Sequence, residues 1–218
     1  MHILLFSDIH GHTETFPALS QAMGRADLIC LCGDITSFKG PAAALQIIRR
    51  LNQPFEKIVA VSGNCDNKGV EEALTNEGIG IDGQLISKGG VSFFGMGGSL
   101  TTPFATPNEF DDAHYQSLLD TLIKKGPIKE PLIILSHQPP YGSCADRLAS
   151  GVHSGSKALS HFIDTHAPLA CLTGHIHESF GMETRNETLI VNPGSLAQGK
   201  WAELHLFDGK ITARLNPS

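Results

Sequence analysis

Seven polar residues stand where apolar runs end, and their types are those that hold metal ions. Asp8 and His10 follow Ile3-Leu4-Leu5-Phe6, Asp34 follows Leu28-Ile29-Cys30-Leu31-Cys32, and Asn64 follows Ile58-Val59-Ala60-Val61. His137 follows Leu132-Ile133-Ile134-Leu135, and His175 and His177 follow the run from Leu169 to Leu172. A lone Asp-x-His is a common tripeptide and by itself reads as a polar loop after a strand. Five strand ends of this kind are a different matter, because in open α/β sheets sites form outside the carboxyl ends of the strands, where residues distant in sequence converge. Four His, two carboxylates and one amide suit two divalent ions of the Mn, Fe or Zn type. The set is too rich in His for Ca or Mg and lacks the thiolates of a structural zinc site. About four protein ligands per ion are reached only if one carboxylate bridges, and Asp34, alone at its strand end, is the natural bridge.

The intervening sequence must supply the frame for these residues. Thr13 is placed to cap a helix running to about Gly24, with Phe16, Leu19, Ala22 and Met23 on its apolar face. A second helix starts near Pro41 and turns Leu45, Ile48 and Leu51 inward. Alternation of helices with short, wholly apolar strands is the pattern of a parallel sheet covered by helices. After a helical stretch from Val70 to Thr75 come hairpin-like strands, Gln84 to Ser87 and Val91 to Gly95, joined through Lys88-Gly89-Gly90. The cluster Gly95-Met96-Gly97-Gly98-Ser99 reads as a turn or close backbone packing rather than a phosphate cradle, and the loop Thr101 to Pro107 follows it. Asn108 to Lys124 reads as an amphipathic helix, with Phe110, Leu118, Leu119 and Leu122 toward the core and His114 on the surface. Another helix spans Ser156 to His166. The tail alternates through Thr188 to Val191, Trp201 to Phe207 and Lys210 to Leu215, the last two joined at the hairpin signal Asp208-Gly209.

Composition bounds the function classes. At 218 residues with 41% hydrophobic and 17% charged content, one well-filled domain covering residues 1–218 is expected, with no linker, low-complexity tract or fixed-period repeat. Sixteen basic against 22 acidic residues give a formal charge of −6 without a run of one sign, which argues against a general footprint for nucleic acid or anionic lipid. Five cysteines at irregular spacing are unlike a secreted disulfide framework, and the apolar runs are too short to span a membrane. The expected compartment is the cytoplasm. No oligomeric state follows from the sequence.

In order along the chain, Ser7-Asp8-Ile9-His10-Gly11, Gly33-Asp34, Gly63-Asn64-Cys65-Asp66, Ser136-His137 and Gly174-His175-Ile176-His177 resemble the motifs of the calcineurin-like metallophosphoesterase superfamily. Asn192-Pro193-Gly194-Ser195 is similar to the closing motif of its small bacterial and archaeal members. The resemblance implies an α/β fold, a four-layer α-β-β-α sandwich of two mixed β-sheets with helices outside. It implies that Asp8, His10 and His177 hold one metal, that Asn64, His137 and His175 hold the other, and that Asp34 bridges them. The implied activity is hydrolysis of a small phosphate ester, a phosphodiester or nucleotide in preference to a phosphoprotein, by a hydroxide shared between two divalent ions, Mn first and Fe or Zn as alternatives. Metal binding lowers the pKa of water from 15.7 toward about 7, which makes that nucleophile available at neutral pH. The alternative on the same fold is an interaction scaffold of weak or no catalytic power; such proteins tend to lose ligands, whereas all seven positions are filled here.

One position departs from the resemblance. Many members carry a His after the metal-binding Asn, where it stabilises the transition state or protonates the leaving group, and here that position is Cys65. A thiol with a pKa of about 8.5 is a poor donor, and a small side chain filling space beside Asn64 is the competing reading. His12, on the same loop as His10, is the candidate acid or substrate contact, against a role as helix cap or solvent-facing residue. In the loop from Gln138 to Gly155, Tyr141 and His153 are candidate substrate contacts, together with Ser156, which equally suits a helix N-cap.

Overall fold

The structure is a computed structural model that describes residues 1–128 and 131–216. Wholly apolar strands need cover on both faces, and the chain provides it by stacking two sheets and laying helices on the outer face of each. The first half runs β1 (His2–Phe6), α1 (Phe16–Arg25), β2 (Leu28–Cys32), α2 (Pro41–Arg49), β3 (Ile58–Val61) and α3 (Val70–Asn76). The second half runs β4 (Leu85–Lys88), β5 (Val91–Met96), the short pair β6 (Ser99–Leu100) and β7 (Glu109–Phe110), α4 (Asp112–Lys124), β8 (Leu132–Ser136), α5 (Lys157–His166) and β9 (Ala170–Thr173). The chain closes with β10 (Gly181–Arg185), β11 (Thr188–Asn192), β12 (Trp201–Phe207) and β13 (Lys210–Asn216).

One sheet has the order β13-β12-β1-β2-β3 and the other β10-β11-β9-β8-β5-β4. Both are mixed: β1, β2 and β3 are parallel while β12 runs against β1, and β5, β8, β9 and β11 are parallel between antiparallel edges. Strand alternation sorts the core into three layers. Ile3, Leu5, Cys30, Cys32, Val59 and Val61 meet Phe93, Ile133, Leu135, Leu172 and Val191 between the sheets. Leu4, Phe6, Ile29 and Leu31 pack outward on Phe16, Met23, Ile47 and Ile48 of α1 and α2. Phe94, Ile134 and Cys171 pack outward on Tyr115, Leu119, Leu159 and Phe162 of α4 and α5. This is the four-layer α-β-β-α sandwich expected. Truncating a fully buried member such as Leu135 to Ala costs about 2–5 kcal/mol.

Three local expectations are corrected. Helix α1 begins at Phe16 rather than at Thr13, its N-terminal flank is Thr15 without a side-chain cap, and Pro17 takes the first turn. Helix α4 begins at Asp112, because Asp111 Oδ1 accepts from the His114 N–H at 2.9 Å while Glu109 and Phe110 pair with Ser99 and Leu100. His114 is half-buried, stacked on Phe110 with ring centroids 4.0 Å apart. Strand β10 adds to the elements expected from sequence, since Gly-Met-Glu-Thr-Arg carries no continuous apolar run. No described helix is long and apolar enough to cross a membrane.

Candidate metal centre

The parallel strands β1, β2, β3, β8 and β9 end together, so the loops after them form one rim. Asp8, His10, Asp34 and His175 adopt left-handed backbone, with φ of 54°, 49°, 48° and 69°. Such values are uncommon for residues with a Cβ and are held only where the surroundings over-determine them. Here the β1 and β2 loops lock together, the N–H groups of Asp8, His10 and Gly11 donating to the carbonyls of Gly33, Asp34 and Ile35 at 3.1, 2.8 and 3.0 Å. Gly63 and Gly174 permit close approach: a Cβ on Gly63 would collide with the main chain and carboxylate of Asp34, and one on Gly174 with Ser7.

The donors converge. His177 Nε2 lies 3.0 Å from Asp8 Oδ1 and 3.3 Å from His10 Nε2. His10 Nε2 lies 3.9 Å from Asp8 Oδ1 and 3.6 Å from Asp34 Oδ2. The other oxygen of Asp34, Oδ1, lies 3.5 Å from His137 Nε2, which is 3.0 Å from Asn64 Oδ1. His175 packs its ring beside that of His137, with centroids 5.2 Å apart. Ligands on one tetrahedral ion with bonds of about 2.0–2.1 Å sit roughly 3.3 Å apart, so this spacing fits metal ligation. Among the described residues three donor groups within 4.8 Å emerge here, Asp8 with His10 and His177, Asp8 with Asp34 and His137, and His10 with Asp34 and Cys65. The ionic partners of the buried Asp8 and Asp34 carboxylates, among the described residues, are histidines alone. Two buried carboxylates facing ring nitrogens form a donor set that a divalent cation completes.

The electrostatics follow from this packing. Burial opposes charge on Asp34, but the His137 cation and its hydrogen bond hold the carboxyl well below the usual range. Asp8 is likewise lowered against burial, by the His177 hydrogen bond and the charge of His137. Burial works to lower His137, and the facing Asp34 carries it up to about 9 instead. His175 is pushed down to about 4 by burial and the His137 charge, and His10 is lowered by burial. His177 is raised by its bond to Asp8.

A shell of orienting contacts surrounds the donors. Cys32 O accepts from His137 Nδ1 at 2.7 Å, which leaves Nε2 facing the site. Asn64 donates its amide to Thr106 Oγ1 at 2.9 Å, and Thr106 donates to Glu109 at 2.6 Å, so the Asn64 carbonyl is turned to His137. Glu109 is drawn down to about 2: burial opposes this, but hydrogen bonds from Thr102 and Thr106 prevail. Asp66 ties the β2 and β3 loops by accepting from the N–H groups of Ile35, Thr36 and Gly63. Ser195 Oγ donates to Asp8 O at 2.8 Å, and Asn192 Nδ2 to Ile176 O at 2.9 Å, so the closing motif fastens both flanking loops. No sequence signal marks Thr106 or Glu109 for this role, whereas Ser195 belongs to the closing Asn-Pro-Gly-Ser motif.

The sequence profile of the calcineurin-like phosphoesterase superfamily domain matches residues 1–207. The chain belongs to the calcineurin-like phosphoesterase superfamily. An uncharacterized protein of Methanocaldococcus jannaschii is 33% identical over 199 residues, covering 88% of each chain. A dimetal phosphatase from Danio rerio superposes with a TM-score of 0.71 at 13% identity, covering 100% of this chain and 96% of that one. A protein of Thermus thermophilus does so at 0.70 and 19%, covering 98% and 97%. An archaeal phosphodiesterase aligns at 0.51 and 18%, covering 99% and 100%. These likenesses agree with the two-sheet fold, and family membership makes the chain a phosphoesterase dependent on divalent metal ions, for which the strand-end donors are the candidate ligands.

The remaining candidate residues of this phosphoesterase are dispersed. Cys65 lies within the rim, its Sγ within 4.8 Å of donors on His10 and Asp34, and burial with the Asp34 charge pushes its thiol far above the usual range. His12 is 60% exposed, with Nδ1 3.7 Å from Glu14. His153 Nδ1 pairs at 2.6 Å with Asp146, whose other oxygen accepts from the Gly142 and Gly155 N–H groups. Tyr141 is exposed, with its ring 5.9 Å from that of His153 and Lys157 Nζ 5.4 Å from its centre. Ser156 caps α5, accepting from Leu159 N at 3.1 Å.

Proposed function

We propose that the chain hydrolyses phosphodiesters or nucleotides at a centre of two divalent transition-metal ions, Mn first and Fe or Zn as alternatives. One observation carries the reading: Asp34 stands between the two His groups, Oδ2 toward His10 and Oδ1 toward His137, as a carboxylate placed to bridge two ions does. Asp8, His10 and His177 would hold one ion, and Asn64, His137 and His175 the other. When bound, such ions polarise phosphoryl oxygens and lower the pKa of water to about 7. The chain's own contribution is position. Cys32 O fixes the His137 tautomer, Thr106 and Glu109 fix the Asn64 amide, and Ser195 fixes the Asp8 backbone.

Cys65 supplies no ready proton, because burial and the Asp34 charge hold it as a neutral thiol of low acidity. His12 is the candidate acid on the same loop; its exposed ring must turn from Glu14 to serve. The phosphatase and phosphodiesterase neighbours support the reaction class, and the formal charge of −6 favours a small ester over a nucleic-acid chain. Five free cysteines support a reducing, cytoplasmic setting. The test is turnover of a chromogenic phosphodiester and the matching monoester by chelator-treated protein reloaded with Mn²⁺. Faster diester turnover is expected, and inactivity toward both with two ions bound per chain refutes the reading.

A further inference from the structure

At the end of β1 opposite Asp8, a second group of donors lies on the outer face of the first sheet. His2 and His205 are direct cross-strand neighbours on β1 and β12, and Glu203 follows two residues before His205 on the same face. The two rings stack with centroids 4.6 Å apart and planes 7° from parallel. His2 Nε2 is 3.8 Å from Glu203 Oε1, and one donor atom from each of the three residues falls within 4.8 Å of the others.

Ring stacking alone leaves this corner unsatisfied. His2 Nε2 is buried and has no hydrogen-bond partner among the described residues, an unusual state for a ring nitrogen. The one cation opposite Glu203, Arg214 on β13, gives its guanidinium to Asn216 Oδ1 at 3.0 Å instead. The side chains of His2 and Glu203 keep 19% and 18% exposure, and His205 lies open, so an ion can enter from solvent.

We propose that His2, Glu203 and His205 form a second metal site, separate from the strand-end cluster, for Zn²⁺ or a similar borderline divalent ion. Two imidazole nitrogens and one carboxylate oxygen, with a fourth position left to water, are the ligand types and number such an ion takes. The lone pairs of two parallel rings run side by side, so the exposed His205 ring turns toward the ion while His2 stays seated. The ion then joins β1, which carries Asp8 and His10 at its far end, to β12.

The test uses tag-free protein in equilibrium dialysis against micromolar free Zn²⁺, comparing wild type with His205→Phe and Glu203→Gln. Phe keeps the ring stack and removes the ligand, and all three proteins share the strand-end cluster. Wild type should hold about one more Zn²⁺ per chain than either variant, with the rate of phosphoester hydrolysis unchanged in both. Equal Zn²⁺ content in wild type and either variant overturns the assignment. On the unmodified chain, Zn²⁺ should also shift the ring-proton resonances of both His2 and His205, and unshifted resonances overturn it independently.

Discussion

Raising the pH should strengthen metal binding at the strand-end cluster by an amount that His137 sets. Its Nε2 lies 3.5 Å from Asp34 Oδ1, and against the effect of burial that carboxylate carries the ring up to about 9. In the metal-free protein at pH 7 the ring is therefore protonated on the nitrogen that faces the site. An ion takes only the neutral ring, so binding at pH 7 must expel this proton. The proton on His137 weakens binding about 100-fold at pH 7 and about twofold at pH 9, so this residue alone should raise affinity about 50-fold between them, or ~2.3 kcal/mol, with its contribution levelling off above. His175, pushed down to about 4, is neutral throughout and adds no slope. Titration calorimetry of Mn²⁺ into chelator-treated protein, under argon and in buffers of different ionisation enthalpy, reads both quantities. About one proton per chain should be released at pH 7 by His137, with His177 adding to it, since its hydrogen bond with Asp8 also raises it. A pH-independent affinity with no proton release would refute the coupling of His137 to Asp34 and its place among the ligands. The linkage has a second consequence in the metal-free protein. A folded value of about 9 against the ordinary 6.5 gives stability that is complete below pH 6.5 and is lost as the pH rises through 9.

Other perturbations test separate parts of the site. Thr106→Ala removes the acceptor that turns the Asn64 amide and should lower metal affinity or kcat/KM about 10–100-fold without unfolding the chain, measured by calorimetry and diester turnover. Asp8→Ala should abolish turnover of all esters, while His12→Ala should slow esters with poor leaving groups more than those with good ones; equal effects on the two classes reject His12 as the acid. Asp82 is pushed up to about 7 by burial and by Glu71, so its ionisation destabilises the fold as the pH rises from about 4 to 7. The melting temperature of Asp82→Asn relative to wild type should therefore climb through that window and then level, a gain of the order of a few kcal/mol at most. A difference that stays constant with pH would show that Asp82 is not the titrating group.

The strands of the sandwich were legible because a strand covered on both faces must be apolar at every position, as β2 and β3 are. Element starts were less so. Asn108 reads as the first residue of a helix, but its amide is committed to Ser62 Oγ and Gly63 O, and Asp111 makes the cap. The edge strand β10 escaped because an edge with one exposed face needs no apolar run.

The sequence by itself determined which donors exist and that each stands at a strand end, since residue type and hydrophobic pattern are local properties. It also carried the family resemblance, in the order of its motifs. Only the tertiary structure decided that the two oxygens of Asp34 face different rings, that Asn64 is aimed by Thr106 and Glu109, and that His12 pairs with Glu14. It alone set His2 beside His205, 203 positions away in the chain. Distances between side chains depend on sheet register and loop closure, and those are settled by the packing of the two sheets against each other rather than by any neighbour in sequence.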